Sequence, residues 1–156
     1  MRLDQYCFYA THDWQADAIK TMLGLHAAPW VNDHVEMLTK LPDGAWYDGA
    51  ADLQFCEALG PQVEIMRWVK GPHWNILRDT EKYFMAHIGM HLDDDEDWPS
   101  MAGGTLLQEN KTISHSGAAF NDPASPQYGR RYHYRIYLMP QSEHLYVKLI
   151  KRVHRA

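Results

Sequence analysis

Two histidines four residues apart, His87 and His91, stand in the stretch YFMAHIGMHLDDDEDW (83–98) and raise the question of a metal site. On a helix, side chains at i and i+4 stack on one face and can bind one ion together. Here the neighbouring residues alternate apolar and small as in a strand, where the same spacing separates two same-face side chains by about 13 Å. At most one of the two is then a ligand, and its partners come from other strands.

Other residues carry chemistry on their own. His115, at the end of ENKTISHS (109–116), precedes the loop GAAFNDPASPQYG, a position that suits a proton-transfer group beside a mobile lid. In GRRYHYRIYL (129–138), Arg135 could clamp a carboxylate or phosphate through two parallel hydrogen bonds. The alternation leaves open which face of that strand looks inward. Cys7 shares a strand face with Gln5 and Tyr9 and has no evident base beside it, so it reads as a small cavity-lining residue rather than a nucleophile. No Gly-rich phosphate loop, Ser–His–Asp string or zinc-finger spacing occurs.

The whole chain limits the partners. It has 156 residues, a net charge of -5 and only two cysteines, Cys7 and Cys56. The charge argues against general nucleic-acid binding, and two cysteines are too few for a disulfide framework. No apolar run reaches the roughly 18 residues of a membrane span, and MRLDQYCFYATHDW lacks the apolar stretch of a signal peptide. A cytoplasmic protein is the simplest expectation. Bases crowd the last third (Arg130, Arg131, Arg135, Lys148, Lys151, Arg152, Arg155), while acids crowd Asp93 to Asp97. The basic third could attract an anionic small molecule.

The elements that must position these residues recur in order. Residues 3–11 alternate as a strand, and Thr11 or Asp13 could cap a helix carrying Trp14, Ala18, Ile19 and Met22 to about Leu23. Strands follow over 34–41, 51–58 and 62–70, bordered by PDG, DGA and LGP turns. After a linker (72–82) comes a strand over 83–92, a short helix in the acidic run to Pro99, and strands over 105–115, 131–139 and 145–153. The chain therefore reads strand–helix–three strands, twice.

This βαβββ repeat, with LDQYCFYATHDWQADAIKTMLGL opening one copy and MAHIGMHLDD the other, resembles the vicinal oxygen chelate superfamily of glyoxalase I, extradiol dioxygenases and bleomycin-binding proteins. The resemblance implies an α+β fold: one domain over 1–156, built of module one (3–71) and module two (83–153). Together they form a curved, cup-shaped mixed sheet with helices outside, closed within one chain or across a homodimer.

Metal-dependent members take ligands from the first and fourth strand of each module. The matching residues are Gln5, Glu64, His87 and, where a glutamate is expected, Lys148. The separations within the two copies are nearly equal, and the four side chains should converge on one cavity with His91 away from its centre. Trp68, on the face of Glu64, would form a stacking wall for a planar ligand.

Lys148 divides the functional reading. A protonated lysine has no lone pair for a metal, and it repels a divalent ion nearby. One alternative is a metal-free binder in which Lys148, Trp68, Arg135, Tyr9 and Cys7 receive an anionic or planar molecule. The other is a lyase, isomerase or dioxygenase. In it Gln5, Glu64 and His87 hold a weakly bound Mn²⁺, Ni²⁺, Zn²⁺ or Mg²⁺, and Glu64 or His115 moves a proton.

Overall fold

The computed structural model describes residues 1–73, 84–93, 96–140, 142 and 145–153. Most of the linker expected over 72–82 lies outside them. Eight strands dominate: β1 (Arg2–Tyr9), β2 (Val31–Lys40), β3 (Trp46–Cys56), β4 (Gln62–Lys70), β5 (Phe84–His91), β6 (Thr105–His115), β7 (Arg131–Leu138) and β8 (Tyr146–Val153). Two helices accompany them: α1 (Asp13–Met22) and the four-residue α2 (Ala118–Asn121).

The strands close a barrel in the order β1-β4-β3-β2-β6-β7-β8-β5. The chain is mostly β, which corrects the expected α+β cup with helices on its outside. Two antiparallel seams, β1 with β5 and β2 with β6, join the halves within one chain, so no sheet edge is left open. Each half pairs its first strand in parallel with its last, β1 with β4 and β5 with β8.

The helices are where the expectation fails. In the first half, α1 packs Ala16 and Ile19 on Phe8, Val63 and Ile65 of the outer barrel face. Its N-terminus is closed by neither Thr11 nor Asp13: Gln15 Oε1 accepts from the backbone N–H groups of Thr11 (2.6 Å) and His12 (3.1 Å). Trp14 and Met22, expected on the buried face, are exposed.

In the second half, Asp93 and residues 96–100 form no helix; Asp94 and Asp95 lie outside the described residues. Successive acids repel one another, and Pro99 followed by Gly103 and Gly104 breaks helical continuation. Trp98 and Met101 from this irregular segment cover Leu92, Tyr137 and Leu149 instead, doing for the second half what α1 does for the first. The second helix, α2, forms within the 116–130 loop, where none was expected.

A separate cluster fills the barrel itself: Cys7, Tyr9, Val35, Met37, Ala51, Met66, Tyr134, Ile136 and Ile150. An eight-stranded barrel is just wide enough for packed side chains or for one small ligand. This one is partly filled by that cluster and partly hollow, with Val35, Met37, Met66, Tyr134 and Ile150 forming the boundary between the two.

Candidate ligand cavity and its polar centre

The hollow part is a cavity of about 530 Å³, within the range typical of small-molecule sites. Its lining runs from Arg2, Arg130 and Arg152 to Glu64, Tyr134 and Lys148.

Register builds its polar centre. Gln62, Gln5, Gly89 and Lys148 pair successively across β4, β1, β5 and β8; one interior row away, Glu64, Cys7 and His87 do the same. Gly89 makes the first row work. A Cβ there would stand 2.3 Å from Gln5 Cγ, so the absent side chain is the space through which Gln5 reaches Lys148. Gln5 Oε1 accepts from Lys148 Nζ at 2.7 Å and lies 3.3 Å from His87 Nε2. Gln5 Nε2 donates to Gln62 Oε1 at 3.0 Å and to Glu64 Oε2 at 3.4 Å. Lys148 Nζ is 3.6 Å from Glu64 Oε1 and 4.6 Å from the centre of the Tyr134 ring. The structure thus brings Gln5, Glu64, His87 and Lys148 together, all four buried.

Burial governs protonation here. It lowers the His87 pKa well below the ordinary value, helped by the positive Lys148 and by His73, so the imidazole is neutral. Because Gln5 Oε1 can only accept, the His87 proton belongs on Nε2, which leaves the buried Nδ1 without a partner. Burial, and then the Glu64 charge, push the Cys7 thiol well above its usual pKa. The same two causes raise Tyr134.

Other sequence candidates fall elsewhere. Tyr9 bonds His73 Nε2 through its hydroxyl (2.8 Å), and Trp68 packs on His73 with ring centres 4.4 Å apart. Together with Cys7 they pack in or against the barrel core and do not line the cavity. Arg135 is outside the barrel, 3.3 Å from Glu109 Oε2 and over the Trp98 ring. In β7 the inward face is that of Tyr132, Tyr134 and Ile136. His91, whose register partner is Arg2, lines the cavity as well, so both histidines of the opening motif face inward.

His115 lines the cavity wall with only 5% of its side chain exposed. Its partner is one the sequence did not suggest: Asp33, near the start of β2, meets His115 Nδ1 at 2.6 Å. Asp33 Oδ1 also accepts from the Gly117 backbone N–H at 2.8 Å. The intervening loop is built rather than loose. Its α2 stacks Phe120 on the His115 ring at 4.1 Å, and Asn121 Nδ2 donates to the carbonyls of His115 (2.8 Å) and Gly117 (3.0 Å).

No described helix is long and apolar enough to cross a membrane. Compared with models of known families and with curated proteins, the sequence finds no match.

Proposed function

We propose that the protein is a metal-free, cytoplasmic binder of a small anionic or planar molecule, held inside the barrel in a way akin to the bleomycin-binding branch of the vicinal oxygen chelate superfamily. The observation that carries this reading is the Lys148 ammonium at the cavity's polar centre, bonded to Gln5 and facing Glu64. A cation already stands where the resemblance puts a metal ligand, and a second one beside it is repelled. Phe55, Phe120, Tyr132 and Tyr134 give the cavity aromatic walls, and arginines stand at its rim. The parallel pairing of first and last strand in each half supports the resemblance in connectivity, though not in its helices.

A second reading, a divalent-metal lyase, isomerase or dioxygenase, has one observation in its favour. Ligand atoms of Cys7, Glu64 and His87 lie within 4.8 Å of one another, and Glu64 Oε1 and His87 Nδ1 are buried without hydrogen bonds. A divalent ion there would polarise substrate oxygens. The donor set fits poorly, because the Cys7 thiol holds its proton and Lys148 occupies the flank of Glu64.

The two readings separate on protein purified without chelator. Native mass spectrometry and extraction should reveal an organic molecule bound one to one, lost in Lys148→Met, with no stoichiometric metal by elemental analysis. A stoichiometric metal lost in Glu64→Ala establishes the enzyme reading instead.

A further inference from the structure

Among the residues that line the cavity, Arg152 and His115 each carry a buried side-chain nitrogen without a hydrogen-bond partner, and the two are chemically opposite. Arg152 Nε is a cationic donor. His115 Nε2 is the other. With the imidazole neutral and its Nδ1–H given to the Asp33 carboxylate at 2.6 Å, Nε2 bears a lone pair and accepts. Asp33 is fixed for this task by the Gly117 N–H, and its side chain is 1% exposed. Phe120 lies parallel to the imidazole, 15° from coplanar, so the ring cannot turn away without losing that contact.

Tyr132 links the two atoms in space. It is the register partner of Arg152 across β7 and β8, and its ring meets His115 edge-on at 5.8 Å. All three line the same cavity. A buried donor or acceptor left unpaired is costly, so two of them on one cavity are matched by an occupant that supplies both partners.

Resting on the binding reading above, we infer that the cavity selects a planar acid that also carries its own N–H or O–H donor: its anionic oxygen meets Arg152, its donor meets His115 Nε2, and its ring lies along Tyr132. Asp33 acts as a positioning residue that presents the lone pair. A simple anion satisfies one atom and leaves the other bare. The selection is therefore for a bifunctional molecule.

The probes are the ring-position isomers of indole carboxylic acid, each with and without an N-methyl group, and indole itself, titrated by calorimetry into the full chain. At least one isomer should bind at least ~tenfold tighter than both its N-methyl derivative and indole. His115→Phe should erase the N-methyl discrimination while keeping the preference for the acid over indole. Arg152→Gln should do the reverse. Should either variant fail to fold, nitrogen NMR of the native protein still reads the His115 tautomer. A proton on Nδ1 is expected, moving to Nε2 in Asp33→Asn, and a native proton on Nε2 overturns the inference. Equal binding of acid, N-methyl acid and indole overturns it while leaving the binding reading intact. Binding of none overturns it too, and the co-purified molecule then decides the binding reading on its own.

Discussion

The centre and the wall of the cavity are both polar and both buried, yet they differ in how many of their valences are used. At the centre, Lys148, Gln5, Glu64 and Gln62 are turned toward one another, and the charges of Lys148 and Glu64 offset within the protein. At the wall, the Asp33–His115 pair ends in an unpartnered Nε2, with an unpartnered Arg152 Nε on the same cavity. The centre also leaves Glu64 Oε1 and His87 Nδ1 without hydrogen bonds, but there the open oxygen faces the Lys148 ammonium at 3.6 Å. No such counter-group faces Arg152 Nε or His115 Nε2 among the described residues.

The largest effect expected in breaking this contrast comes from the centre. Lys148→Met strands a buried carboxylate and should cost about 3–5 kcal/mol in urea unfolding, most of it recovered in Lys148→Met/Glu64→Gln. A single variant as stable as the native protein would show that the centre is not closed on itself. Gly89→Ala comes next. Its Cβ collides with Gln5 Cγ, and overpacking of this kind should cost about 1–3 kcal/mol while disturbing the Gln5–Lys148 contact.

A smaller effect follows from His87. Its folded-state pKa is depressed by burial, so below the ordinary value of about 6.5 the unfolded chain takes up a proton that the folded protein refuses. Stability contributed by neutral His87 is therefore complete above that pH and declines as pH falls, by at most ~1.4 kcal/mol per pH unit. Unfolding measured at about pH 7 and about pH 5.5 should show a shallower decline in His87→Gln than in the native protein. Equal declines would assign the sensitivity to other histidines.

Outside the barrel the effect should be smallest. Arg135→Ala removes a partly exposed contact to Glu109 and Trp98 on the outer face and should cost about 1 kcal/mol, leaving ligand binding unchanged. Weakened binding in that variant would mean that the outer face communicates with the cavity.

What the sequence made legible follows from period two. Once β1, β4, β5 and β8 were recognised, alternation put Gln5, Glu64, His87 and Lys148 on inward faces, and the near-equal separations in the two copies aligned them. Arg135 was misjudged because both faces of β7 carry aromatic and polar side chains, so alternation alone leaves the inward one undecided. Asp33 was invisible for another reason: its partner His115 is 82 residues away, and an acid near a strand start reads like any turn residue. The helices misled because α1 buries Gln15 and exposes Trp14 and Met22, against the pattern of its hydrophobic residues. Arg152, four residues beyond Lys148 on the same face of β8, could have been read from alternation.

The position of β1 has a further consequence for how the chain reaches this structure. β1 is synthesised before the other strands of the barrel, yet both its neighbours arrive late: Gln5 meets Glu64 across 59 residues and His87 across 82. Until β4 and β5 exist, this apolar strand, with Tyr6, Cys7, Phe8 and Tyr9 in a row, has nothing to pair with. Closing such distant pairings carries its entropy cost before any contact repays it, so folding should be slow for a chain of this size, with an early interval in which β1 is open to association with other chains.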